Sequence, residues 1–224
     1  MANRSISGLT APSQFPSPLR LLSRFSSMFS ALAIYCGSSP GNHPDFAAVA
    51  RQTGRLLASR GIRVVYGGGG VGLMGALADA ALAAGGHVTG VIPHFLDTRE
   101  LQHPGVADMR RVDTMHDRKR LMVELAQGFV ALPGGFGTLD ELFEVLTWSQ
   151  LGIHPHPIGV VNTDGFFDGL IACLDGMVAR GFLRQQDRDR LIAAATIEEL
   201  LPLMESWIAP TDLKFHLARR AEEM

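Results

Sequence analysis

Lysine is almost missing from this chain. Two occur, Lys119 and Lys214, against eighteen arginines. No glycine precedes a lysine, so the Gly-Lys-Ser/Thr of a P-loop is excluded. A pyridoxal-phosphate enzyme needs a Schiff-base lysine, and only Lys119 is available for that role. Cysteine is equally scarce: Cys36 and Cys173 fall in no metal-binding or redox motif, which suits a reducing, cytoplasmic setting. Charge imbalance is lacking too. A formal net charge of −2 implies no general attraction to nucleic acid or to an anionic membrane, and no apolar run approaches the length of a membrane span. Acidic residues are absent before Asp45, while residues 1–30 hold eight serines, three prolines and three arginines. That is the composition of an organellar transit segment. We read it as a flexible extension, or as a start placed ahead of the true one at Met28.

What is present is a regular alternation. Ala31–Cys36 reads as an apolar strand and ends in Gly37-Ser38-Ser39-Pro40-Gly41. Pro44 opens a helix that Gly61 stops. Ile62–Tyr66 is a second strand, followed by Gly67-Gly68-Gly69-Gly70-Val71-Gly72 and an Ala/Leu-rich helix to Ala84. His87–Ile92 is a third strand, and Thr98 to Asp113 reads as irregular. Thr114 begins a helix with Asp117 three residues on, a capping-box pattern. A strand at 129–132, a helix from 139 to about 150 and a strand at Ile158–Asn162 follow. Helical patterns at roughly 166–180, 187–194 and 197–208 precede a charged tail.

Strands alternating with helices predict an α/β fold, a single doubly wound, Rossmann-like parallel sheet flanked by helices. The expected organisation is a flexible extension over 1–30, one domain over 31–209 and a charged tail over 210–224. Ligands of such sheets bind outside the carboxyl ends of the strands. Three strands end in Gly/Ser-rich turns, at 37–41, 67–72 and 133–138, and these are expected to line one crevice.

The most telling turn is Leu132-Pro133-Gly134-Gly135-Phe136-Gly137-Thr138-Leu139-Asp140-Glu141. Leu139, Leu142, Phe143 and Leu146 mark one apolar helical face. Backbone N–H groups at that helix start make a ready phosphate site, and glycines let the backbone approach an anion closely. A carboxylate, Glu141, is expected in the helix's first turn. There the macrodipole favours its ionised form by about 0.3–1 kcal/mol, which suits a base or an electrostatic stabiliser. Asp140 and Glu144 are expected only to complement the dipole. The run Gly67 to Gly72 contains G-x-G-x-x-G, but the third strand ends in Val91-Ile92-Pro93-His94, without the acid a dinucleotide ribose requires. A nicotinamide cofactor is therefore disfavoured, and the turn is read as a phosphate or ribose cradle. Arg118 shares a helix face with Leu121 and Leu125, so it points partly inward and, half-buried, needs an anion, either a phosphate or a carboxylate such as Glu141. His154-Pro155-His156 has no metal-ligand spacing, so no metal and no cofactor are expected.

Together these residues resemble the LONELY GUY (LOG) family of cytokinin riboside 5′-monophosphate phosphoribohydrolases, long mislabelled as lysine decarboxylases. Its signature Pro-Gly-Gly-x-Gly-Thr-x-x-Glu is met by residues 133–141, and its Met-His-x-Arg-Lys element by 115–119. Cys36-Gly37-Ser38-Ser39, Gly67-Gly68-Gly69 with Gly72-Leu73-Met74-Gly75, and Thr147-Trp148-x-Gln150-Leu151-Gly152 also fit. The resemblance runs from about Ala31 to Phe182. Plant members continue Arg-Lys-Ala-Glu-Met, whereas this chain reads Arg118-Lys119-Arg120-Leu121-Met122.

The resemblance implies hydrolysis of the N-glycosidic bond of an adenine-type (cytokinin) nucleoside 5′-monophosphate to free base and ribose 5-phosphate, with Arg118 and Glu141 as the catalytic pair. Phosphate and ribose contacts are expected from Gly134, Gly135, Phe136, Gly137 and Thr138, with Gly69, Gly70, Gly72, Ser38 and Lys119 around them. It also implies a homodimer, the commonest closed assembly of soluble enzymes. The competing reading is a nucleotide- or molybdopterin-carrier of the same fold that binds without turnover. Such a carrier should lack the Arg118–Glu141 pair.

Overall fold

The strand β1 (Ala31–Tyr35) is buried along its whole length. Leu32 and Ile34 enter the core on one side of the sheet, and Ala31, Ala33 and Tyr35 enter the core on the other. Strands buried on both faces belong to the middle of a parallel sheet covered by helices. The structure, a computed structural model, bears this out; it describes residues 28–98 and 101–210. Most of the expected N-terminal extension and nearly all of the charged tail lie outside the described residues. Of the extension, Phe29 is buried in the core, and the Ser30 N–H donates to Gln127 Oε1 at 2.6 Å. The packed domain thus begins two residues before the expected boundary.

After β1 come β2 (Arg63–Tyr66), β3 (Val88–Pro93), β4 (Asp108–Val112), β5 (Phe129–Ala131), β6 (Ile158–Val161) and β7 (Leu191–Ala194). They form one parallel sheet in the order β4-β3-β2-β1-β5-β6-β7. The chain winds outward from β1 to β4, then returns to lay β5 on β1's other side, at Ala33↔Phe129. Between β1 and β5 lies the switch point, where the turns leaving the two strands part to opposite faces and open a crevice. One backbone hydrogen bond, from Gly37 N–H to the Pro133 carbonyl at 3.1 Å, joins these turns.

Helices α1 (Pro44–Ser59), α2 (Gly72–Ala83) and α7 (Ile197–Glu205) cover one face. On the other lie α3 (Met115–Glu124), α4 (Phe136–Gln150) and α5 (Asp168–Ala179), with the short α6 (Gln185–Arg188) before β7. The capping pattern at Thr114 forms as expected: its hydroxyl oxygen accepts from Asp117 N–H at 3.1 Å. Among the described residues no helix is long and apolar enough to cross a membrane.

Both edge strands differ from the sequence expectation. β4 occupies part of the stretch read as irregular, because Asp-Met-Arg-Arg-Val carries three charges in five residues and shows no apolar run. Charged edges deter pairing with another sheet. The Asp108 carboxylate is accommodated by the Thr89 hydroxyl, which donates to it at 2.8 Å. β7, after the one-turn α6, replaces the later part of the helical pattern read at 187–194. Leu191-Ile192-Ala193-Ala194 is too short and too uniformly apolar for periodicity to separate strand from helix.

Candidate active site

At the carboxyl ends of β1, β2 and β3, against the start of α4, lies a cavity of about 380 Å³. Ser38, Gly69, Arg118, Gly135, Phe136, Gly137, Thr138 and Glu141 line it. The structure thus brings together eight of the residues singled out in the sequence. Gly70, Gly72, Gly134 and Lys119 are absent from its walls. Gly134 is packed behind the loop, where a Cβ would meet Thr138 Oγ1 at 2.1 Å.

The two glycine-rich helix starts are not equivalent. At α2, Leu73 N–H and Met74 N–H both donate to the Gly37 carbonyl, at 3.0 and 3.3 Å. Gly72 makes that contact reachable: its φ of +63° is open to glycine, and a Cβ there would stand 2.3 Å from the Ser38 carbonyl. The positive end of α2 is therefore already answered by protein. Neighbouring turn atoms are engaged too, since Gly70 N–H donates to the Leu101 carbonyl at 2.8 Å and the Gly68 carbonyl accepts from His103 N–H at 2.9 Å. His103 is itself pinned, its Nδ1 accepting from Gly105 N–H at 3.0 Å and its Nε2 lying 3.1 Å from Asp79 Oδ1.

At α4, by contrast, the cap is Gly135, and no side chain caps the helix. A fifteen-residue helix points its positive end into the cavity with its first-turn N–H groups free of side-chain caps. Of the two turns, this is the one built to receive an anion.

Arg118 crosses beneath β2 and β3. Its Nη2 donates to the Gly67 carbonyl and its Nε to the Val91 carbonyl, both at 3.1 Å. Nη2 also stands 3.8 Å from Glu141 Oε1, with both side chains 11% exposed. The arginine is therefore anchored by strand-end carbonyls and aimed at the carboxylate. Gly67, in the turn read as a phosphate or ribose cradle, forms the seat of this arginine.

Glu141 departs from expectation in position and in charge. α4 starts at Phe136, three residues before the apolar periodicity begins, so Glu141 sits in the second turn, and the first turn holds no acid. Macrodipole effects fade beyond the first turn. Burial instead dominates, and it pushes the Glu141 carboxyl up to about 7. Arg118 and Lys119 oppose the rise, while Asp140 and Glu144 add to it. Near neutrality Glu141 thus exists in both protonation states, which is the range in which a carboxyl exchanges protons efficiently. Beneath it, burial and the charge of Glu141 raise Tyr35 and Cys36, so both stay protonated.

Asp140 and Glu144 are not simple complements to the dipole. Lys119 Nζ lies 3.1 Å from Asp140 Oδ2 and 3.1 Å from Glu144 Oε1. These ion pairs turn Lys119 away from the cavity where a phosphate contact was expected.

Ile34, Met74, Ile92, Leu96 and Leu101 complete an apolar wall. Ile92 follows from its place at a strand's carboxyl end. Leu96 and Leu101 carry no sequence signal, because an irregular segment places them there. The cavity thus has an uncapped helix start at one end, an apolar wall, and a guanidinium–carboxylate pair between them. Such a chamber can hold a phosphorylated sugar carrying a flat apolar base, with a carboxyl near the bond joining them.

Comparison with known proteins points the same way. The family described as "Possible lysine decarboxylase" matches residues 74–204. The chain is similar to the cytokinin riboside 5′-monophosphate phosphoribohydrolase LOG of Oryza sativa subsp. japonica, 44% identical over 182 residues, 81% of this chain and 75% of that one. It is also similar to the cytokinin riboside 5′-monophosphate phosphoribohydrolase LOG2 of Arabidopsis thaliana, 43% identical over 186 residues, 83% of this chain and 87% of that one. Among solved structures, a molybdenum cofactor binding protein from Rippkaea orientalis aligns with a TM-score of 0.61 at 21% identity, covering 79% of this chain and 95% of that one. That likeness concerns the fold.

Proposed function

Because this chain belongs to the LONELY GUY family, we propose that it hydrolyses the N-glycosidic bond of adenine-type, cytokinin nucleoside 5′-monophosphates. The family model matches residues 74–204, and the relatives that match over four-fifths of the chain bear the activity in their names. Nucleoside monophosphate and water give free base and ribose 5-phosphate. Water adds to C1′, the C1′–N bond breaks with its electron pair going to the base, and one proton moves from water to the base.

Roles follow from the geometry. The uncapped start of α4, with the Gly135–Thr138 backbone, receives the 5′-phosphate, and Ser38 and Gly69 border the sugar. Binding energy from this remote phosphate positions C1′ against Glu141. The transition state is oxocarbenium-like. Ionised Glu141 stabilises its positive charge and takes a proton from the attacking water. Arg118 holds Glu141 in place and keeps enough of it ionised. The apolar wall from Ile92 to Leu101 faces the base.

The observation that carries this reading is a buried carboxyl 3.8 Å from a carbonyl-anchored arginine, in a cavity shared with an uncapped helix start. A non-catalytic carrier is expected to lack that pair. The protein works in the cytoplasm as a homodimer. Exposed Phe143 on α4, with Leu151, Ile153 and Phe182 beyond it, supplies apolar area for self-association. The test is a panel of cytokinin ribotides, AMP, other nucleoside monophosphates, the matching nucleosides and the diphosphates, scored for released base. Release from monophosphates but hardly from nucleosides is expected. Equal turnover of nucleoside and nucleotide overturns the role of the phosphate, and binding without release from any of them overturns the hydrolase. Light scattering that shows a monomer at assay concentration overturns the dimer.

A further inference from the structure

We propose that Lys119 is a positioning residue for Glu141, a clamp that docks α3 on α4 and offsets the charge of the two carboxylates flanking it. The inference rests on the hydrolase reading for its kinetic arm alone.

Two adjacent cations on α3 face three carboxyls on α4. Arg118 meets Glu141 from inside the cavity. One residue on, Lys119 meets Asp140 and Glu144 from outside, with its side chain only 10% exposed. Burial alone would lower the Lys119 ammonium, but hydrogen bonds to the two carboxylates outweigh it and hold Lys119 above its ordinary value. A half-buried, charged lysine that does not line the cavity does more here than fasten two helices. Asp140 and Glu144 stand at i and i+4 on one helix face, a like-charge arrangement that destabilises a helix when left unanswered. They also flank Glu141, and their uncompensated charge would oppose its ionisation.

The charged and titratable groups facing Glu141 are Arg118 and Lys119 from α3, Asp140 and Glu144 from its own helix, and Tyr35 and Cys36 from the end of β1. Tyr35 and Cys36 stay neutral across the working range. The balance is therefore two cations against two anions, and removing Lys119 tips it against the ionised carboxyl. Lys119 does not line the cavity; it acts through Glu141.

The test follows the Glu141 carboxyl directly. In protein labelled with ¹³C-glutamate, its resonance is the one lost in Glu141→Gln. In Lys119→Met its titration midpoint is expected to rise by about half a pH unit or more. Lys119→Arg is expected to restore the midpoint, and so is Lys119→Met combined with Asp140→Asn and Glu144→Gln. Kinetically, Lys119→Met loses about twofold or more of its base release at pH 7 and regains it by pH 9. A midpoint that does not move, or a loss of rate equal at all pH values, overturns the proposal. If Lys119→Met fails to fold, Asp140→Asn/Glu144→Gln with Lys119 intact is expected to move the midpoint down, and an unmoved midpoint overturns the clamp. If the wild type releases no base from any nucleotide, the hydrolase reading fails, and the resonance still decides the role of Lys119.

Discussion

A Cβ on Gly67 would fall 1.9 Å from Nη2 of Arg118 and 3.1 Å from its guanidinium carbon. The arginine is a flexible side chain, so a methyl group there displaces it and leaves the backbone standing. Displacement breaks its bonds to the Gly67 and Val91 carbonyls and carries it away from Glu141. Gly67→Ala is therefore expected to lose base release by about 10²-fold, the scale of an ångström misplacement. Its thermal melt should shift little. Steady-state kinetics beside a melting curve check this, and near-wild-type turnover would show that the seat of Arg118 does not matter.

Glu141→Gln keeps the shape and removes the charge. Turnover is expected to fall by at least about 10²-fold, with nucleotide affinity little changed, because the α4 backbone holds the phosphate. With the carboxyl titrating at about 7, wild-type kcat should rise with pH through neutrality and level off above it. The residual activity of Glu141→Gln should lack that limb. A kcat that is flat from pH 5 to 9 in the wild type would defeat the assignment of Glu141 as the base.

Much of this was legible in the sequence. The alternation from Ala31 onward and the turns after β1 and β5 follow from short-range patterns, and so does the Thr114 cap. The start of α4 was not legible, because Phe136-Gly137-Thr138 has poor helix propensity and no apolar period. Tertiary context overrides propensity there. That three-residue difference moves Glu141 out of the dipole's reach and leaves burial to set its protonation. The partners of Lys119 were hidden for a related reason. Residues 119 and 140 meet only once α3 and α4 pack side by side, and sequence spacing does not report that. Nor did sequence reveal that the Gly37 carbonyl stops the α2 start, which separates two glycine turns that read alike.

Arg118→Lys tests whether the charge or the fork matters. A lysine keeps the positive charge, but its single ammonium lacks the planar spread that reaches two strand-end carbonyls while facing Glu141. Turnover is expected to fall by about tenfold or more, with less change in KM, because the fork orients the catalytic carboxyl and leaves the phosphate alone. Equal activity of the two forms would mean that charge suffices and that the carbonyl anchors are incidental.

The last prediction separates catalysis from stability. A carboxyl whose folded pKa lies above its unfolded value favours folding while protonated. For Glu141 that contribution is complete below its ordinary 4.5 and is lost as pH rises through about 7. Glutamine never ionises, so Glu141→Gln escapes this loss. The variant should melt close to the wild type at pH 4.5 and above it at pH 8, the gap opening between those values and then levelling. In a domain of this size about 1 kcal/mol moves Tm by roughly 2–4 °C, so the widening should reach a few degrees. Melting curves of both proteins across that range check it, with Asp140→Asn in parallel. Asp140 adds to the rise of the Glu141 carboxyl only behind burial, so Asp140→Asn should recover at most a small part of the gain at high pH. A variant that is dead in turnover yet more stable above neutrality is what a carboxyl held out of water for chemistry produces. A Glu141→Gln gap that stays constant with pH would show that the buried carboxyl carries no ionisation strain.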